Sequence, residues 1–165
     1  MKALRGILIT TLLSIGAFFA ITHTACNKDR CNNVACLNGG ACDGGNCTCA
    51  AGWEGNRCQT ASRDKFVGTF NGGDSCGVGG YTQYSINFVK TVGNQTQMTM
   101  RNMLNNMDDS AICTLVGVDT FSFNGSNNSI TYRGYGKISN DSLWMSYHVQ
   151  FDTINYDCKY FGIGY

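Results

Sequence analysis

The sequence predicts an all-β protein: a small disulfide-rich module followed by an antiparallel β-barrel or sandwich of about eight short strands. Three observations carry this. Ten cysteines stand in a chain of 165 residues, a density typical of exported proteins and rare in reduced compartments. From Asp64 onward apolar and polar residues alternate with period 2, and no stretch follows a helical period. Clusters of Gly, Asn and Asp break that alternation at short intervals, as turns between strands do.

The N-terminus comes first. Met1–Arg5 is short and positive, and residues 6–21 (GILITTLLSIGAFFAI) are almost uninterrupted apolar. This is the layout of a secretory signal peptide, assigned to residues 1–25. An uncleaved anchor is the alternative, but 16 residues fall short of the ~20 that cross a bilayer. Residues 22–26 end in Thr24-Ala25-Cys26 and resemble a bacterial lipobox. The resemblance implies that Cys26 takes thioether-linked lipid and becomes the mature N-terminus, with the membrane as partner through that anchor. Without residues 1–25 the formal charge is 10 − 11 = −1, so no basic field points to nucleic acid.

Residues 27–59 form the disulfide-rich module. Cys31 to Cys58 reads C-x4-C-x5-C-x4-C-x-C-x8-C, with Gly52-Trp53-Glu54-Gly55 and Arg57 before the last cysteine. Spacing alone leaves many pairings open. A zinc cluster is the competing use of such cysteines, but no histidine lies in the segment. The single residue between the fourth and fifth cysteines, the glycine-aromatic-x-glycine turn and the closing Arg-Cys resemble an EGF-like domain. That resemblance implies the bridges Cys31–Cys42, Cys36–Cys47 and Cys49–Cys58. It also implies no calcium, because Asn27-Lys28-Asp29-Arg30 lacks the acidic run of calcium-binding members and residues 43–46 contain no aromatic.

Cys26, Cys76, Cys113 and Cys158 remain. With Cys26 lipidated, Cys76 and Cys158 are the expected pair, joining the first and last strands of the next domain, and Cys113 is a buried thiol on an apolar strand. With Cys26 free of lipid, all four could pair, and that alternative stays open.

Residues 64–165 are read as the β-domain. Strands are expected at 66–70, 82–90, 95–104, 112–118, 120–123, 129–138, 142–152 and 156–164. Turns are expected at Gly72-Gly73-Asp74, 77–80, Gly93-Asn94, 105–109, 124–128 and Asn140-Asp141. The Phe66-x-Gly68-x-Phe70 opening, the hairpin-linked strands and the cysteine-bearing last strand resemble a small lipocalin-like (calycin) barrel. The resemblance implies an inward face of Tyr84, Phe88, Met98, Met100, Met145, Tyr147 and Phe151. These side chains either line a ligand cavity or fill the core, and an eight-stranded barrel has room for little more than its own side chains.

Catalytic constellations are absent from the pattern. His148 is the one histidine after the leader and shares its strand face with Ser146 and Gln150. Asp108 and Asp109 are adjacent and point apart on an extended chain. The Gly-x-Gly pieces precede no helix, so they cradle no phosphate. No cofactor and no metal are expected. The reading is a non-enzymatic, membrane-anchored envelope lipoprotein, at the outer membrane or surface of a Gram-negative cell. Its β-domain would meet a ligand, a glycan or a protein partner. The alternatives are a soluble secreted EGF-like factor or small enzyme, and a purely structural spacer.

Overall fold

A computed structural model of the protein describes residues 30–165 apart from 78 and 128. The signal peptide assigned to residues 1–25 and the lipid site at Cys26 lie outside the described residues. The chain divides into two compact units, with Ala51–Glu54 and Thr60–Tyr165 forming one and the described residues up to Ala50 joining Gly55–Gln59 in the other.

The smaller unit is a cross-linked hairpin. Strands β1 (Ala41–Asp43) and β2 (Asn46–Thr48) pair antiparallel across Gly44-Gly45, both glycines at positive φ, where a side chain would strain the turn. The register sets Cys42 opposite Cys47. Each is tied back to the preceding segment, through Cys31–Cys42 and Cys36–Cys47, and Cys49–Cys58 closes the remaining loop. Separations of 11, 11 and 9 residues correspond to roughly 2–3 kcal/mol of chain entropy per bridge. So few residues bury too little apolar surface to hold a fold without such links.

The larger unit opens with β3 (Trp53–Glu54) paired to β4 (Thr60–Ala61), then a 3-10 helix, Ser62–Phe66. Eight strands follow: β5 (Gly68–Cys76), β6 (Tyr81–Lys90), β7 (Gln97–Arg101), β8 (Ser110–Leu115), β9 (Thr120–Asn127), β10 (Ile130–Ser139), β11 (Ser142–Phe151) and β12 (Ile154–Gly164). Each pairs antiparallel with the next, and β12 returns to β5, closing a barrel without free edges. Two-residue turns at Asn140-Asp141 and Asp152-Thr153 link the last three strands. Asn140 and Asp152 take the left-handed conformation that short polar side chains tolerate.

Three expectations are corrected. The segment predicted as a strand from Phe66 is helical through Phe66, because tertiary contacts claim it. Phe66 is fully buried, its ring edge-on to Phe121 at 5.3 Å. Beside it the Arg63 guanidinium donates to the carbonyls of Thr91 (2.8 Å), Asn94 and Gln97 (3.2 Å). Lys65 Nζ meets Glu54 Oε2 at 2.8 Å and Asp119 Oδ1 at 2.6 Å. Burial opposes the Lys65 charge, but the two carboxylates outweigh it and hold the amine above its ordinary range.

Second, Gly72-Gly73-Asp74 is no turn but the middle of β5. A Cβ on Gly72 would overlap the Phe161 carbonyl of β12, and the Tyr81 ring lies over Gly73. The glycines admit a close neighbour rather than a bend. Likewise the expected turn from Asn124 begins only after Asn127.

Third, Phe151 does not point into the barrel. It ends β11 at the rim, opposite Ile130 and Ile154, and is 48% exposed. The alternation continues into the hairpin, past the point where there is a core to enter. Tyr84, Phe88, Met98, Met100, Met145 and Tyr147 are buried within one contiguous cluster. At its centre stands Phe121, within 6 Å of Phe66, Phe88 and Phe123 ring to ring, at 5.3, 5.4 and 5.9 Å. At the rim where β7 ends, Asn102, Leu104 and Asn105 take positive φ, and the tight turn places Met103 in the core.

Candidate functional site

The interior is the first place to look for a site, and its buried aspartates and tyrosines are hydrogen-bonded. Asp74 faces inward from β5 and is buried, accepting from the hydroxyls of Tyr84 (2.8 Å) and Tyr147. The Tyr160 hydroxyl donates to the Phe70 carbonyl at 2.7 Å. Across the barrel Tyr132 donates to Asp109 at 2.9 Å. Burial raises all four phenols above their ordinary value, with the neighbouring carboxylates adding to the effect. Tyr160 is pushed up to about 12. Cys113 is a free, fully buried thiol between Met98 and Phe123, and burial pushes its pKa far up, so no nucleophilic thiolate forms there.

These tyrosines make a measurable prediction. A phenol with a higher pKa folded than unfolded holds its proton more tightly in the native state. Its contribution is intact below the ordinary tyrosine value of 10.0 and is lost as pH rises beyond it. Ultraviolet titration is expected to register the phenolates of no more than four of the eight tyrosines before cooperative alkaline unfolding, which releases Tyr84, Tyr132, Tyr147 and Tyr160 together. A smooth titration of all eight with native circular dichroism would contradict the buried network.

The outer wall is different. Outward side chains of β9–β12 and β5 line up in cross-strand rows. One row runs Asn124, Arg133, His148, Asp157, and the next runs Ser122, Tyr135, Ser146, Lys159, Ser75. A third runs Thr120, Lys137, Trp144, Phe161, Gly73. Short serines between tall neighbours leave an open groove of about 930 Å³. Tyr135 is 65% exposed, while Trp144 and Phe161, 44% and 45% exposed, lie ring to ring at 5.5 Å, tilted by 46°. Such outward aromatics leave apolar surface in water, so a cluster of them marks a surface for something else.

The charges on this wall are equally uneven. His148 Nδ1 lies 3.0 Å from Asp157 and Nε2 lies 3.3 Å from Asn155. Elsewhere in the barrel unit Arg63 is spent on carbonyls, Lys65 on Glu54 and Asp119, and Lys90 on Asp64 at 2.8 Å. Among the described residues no carboxylate pairs with Arg133, Lys137 or Lys159, which are all exposed. Nor is any group of three His, Cys, Asp or Glu among the described residues arranged to hold a metal ion.

No protein-family model matches the chain, and no curated protein matches it either. Among solved structures it is similar to a crystal structure from Bacteroides fragilis, provisionally named an outer membrane protein. The two share 14% identity with a TM-score of 0.40, over 62% of this chain and 52% of that one. The chain thus aligns with about half the length of that structure.

Reading along the sequence located the inward set and the cysteines, but not the wall. Arg133, Tyr135, Lys137, Trp144, Lys159 and Phe161 come from three strands and converge only through register. One signal was available: large aromatics on the nominally polar face of an alternating strand, as Trp144 is on β11.

Proposed function

We propose that this is an exported, non-enzymatic envelope protein, anchored by lipid on Cys26, that binds its partner on the outer wall of a filled barrel. The observation that carries the reading is the exposed cluster of Tyr135, Trp144 and Phe161 with three cations that no carboxylate among the described residues pairs, set against an interior packed with aromatic and methionine side chains. Four disulfides support maturation in an oxidising space. The first-to-third, second-to-fourth, fifth-to-sixth bridges of the smaller unit support its reading as EGF-like. Between anchor and barrel in the chain, that unit would act as a stiff, protease-resistant connection rather than a calcium site.

Fractionation tests this. The wild-type chain is expected in the detergent phase with acyl mass on Cys26. A Cys26→Ser chain should stay aqueous yet still co-sediment with envelope fragments. Tyr135→Ala with Trp144→Ala should cut that co-sedimentation about tenfold, the order of losing a central aromatic contact. Gln83→Ala, on the outer face of β6, should leave it unchanged. An aqueous wild type without acyl mass would end the anchored reading. Sedimentation indifferent to Tyr135 and Trp144 would end the wall reading.

A further inference from the structure

We propose that the ligand of this wall is an acidic polysaccharide, a deduction that rests on the wall being the contact face. The groove, lined by Arg133, Tyr135 and Lys159, and the face beside it with Lys137 and Trp144 select that chemistry together. Arg133, Tyr135 and Lys137 alternate along the outward face of β10, so neighbours lie roughly 7 Å apart, two residues along a strand. Lys159 sits two strands away, level with Tyr135. Across the strands a cation also shares a row with an aromatic, in Tyr135-Ser146-Lys159 and in Lys137-Trp144-Phe161, while the row of Arg133 ends in Asp157. This suits a chain in which anionic groups recur between flat, weakly apolar rings. The positive edges of sugar C–H bonds meet the negative faces of the Tyr135 and Trp144 rings. Carboxylate or sulfate groups meet the guanidinium and ammonium heads, with Arg133 able to bind bidentately.

Charge complementarity here does not follow from the chain's overall charge. Residues 26–165 carry a net −1, yet three of the four barrel cations outside the ion pairs and the buried Arg63 cluster sit in this one patch, the fourth being Arg101 on β7. An anionic membrane would also attract cations and aromatics. The open, shallow groove is lined by Ser122, Ser146 and Ser75, with Asp157 as its one carboxylate, and serine hydroxyls suit sugar hydroxyls better than lipid headgroups alone.

Calorimetry on the Cys26→Ser chain decides it, with polygalacturonate and heparin as acidic probes, dextran as the neutral one, and phosphatidylglycerol vesicles as the membrane. Saturable binding of at least one acidic polymer is expected, about tenfold tighter than dextran and weakening as salt screens the exposed charges. Arg133→Ser with Lys159→Ser should lower affinity about tenfold, two partly exposed charge contacts. Tyr135→Ala should lower binding to a similar extent, and Arg101→Ser should not change it. All four positions are exposed, and circular dichroism checks that each variant is folded. Equal affinity for dextran, equal loss in Arg101→Ser, or binding to vesicles alone would overturn the assignment. If acidic polymers fail while envelope co-sedimentation still depends on Tyr135, only the ligand class is wrong. If both fail, the wall is not the contact face.

Discussion

Replacing Cys76 and Cys158 together by alanine is expected to lower the barrel's unfolding free energy by about 4 kcal/mol, read as a lower urea midpoint with a slope that rises as the unfolded chain, no longer cross-linked, exposes more surface. The bridge links register partners on β5 and β12, the one strand pairing in the barrel not made by a short connection. Its loop of 82 residues is the longest closed by any of the four bridges. In the unfolded chain that loop would otherwise be open, so the cross-link removes more freedom there than the three short bridges do. Closure also demands that β12 find β5 after all the intervening hairpins have formed, and a pre-existing link makes that encounter local. The variant should therefore fold more slowly as well as less stably. A loss below about 1 kcal/mol would mean that the hydrogen-bond ladder between β5 and β12 closes the barrel unaided.

Phe121→Ala is expected to cost about 3–5 kcal/mol, the range for a large aromatic in a core that cannot collapse. Phe121 is fully buried and joins Phe66, from the 3-10 helix, to Phe88 and Phe123 on opposite parts of the barrel. Removing it opens a space bordered by rigid strands. The site has a built-in check, because a Cβ on Gly136 would overlap the Phe121 ring and meets no other group as closely. Gly136→Ala alone should destabilise by about 1–3 kcal/mol through overpacking. In the Phe121→Ala background the same methyl enters vacated space and should be neutral or stabilising. The double-mutant cycle is thus expected to show a coupling of at least about 1 kcal/mol. Strict additivity would show that Gly136 is present for some reason other than the ring beside it.

Both results turn on residues whose roles differ in how readily a linear reading reaches them. Pairing Cys76 with Cys158 was expected from their places on the first and last strands of the domain, given a lipid on Cys26 that would leave Cys113 unpaired. The contact of Gly136 with Phe121 did not, because β9 and β10 meet through a register that no residue type specifies. The wall shows the same divide. Trp144 stands out within its own strand as an aromatic on the polar face, but its neighbours Lys137 and Phe161 belong to strands on either side. A groove made of one residue from each of several strands has no signature along the chain.

Local chemistry was enough to place a cysteine-linked module ahead of alternating strands, since cysteine spacing and period-2 alternation are properties of neighbouring residues. It also placed six of the seven inward side chains. Long-range packing settled the rest: that Phe66 ends a helix instead of starting a strand, that Gly72-Gly73 lies against close neighbours on the paired strands, and that Phe151 is half-exposed at the rim. In the first two cases a preference of about 1 kcal/mol or less yields to burial or close approach worth several times more, and in the third the strand outruns the core. Closure itself belongs to that second group, because whether eight strands form a barrel or a sandwich depends on whether the last one finds the first.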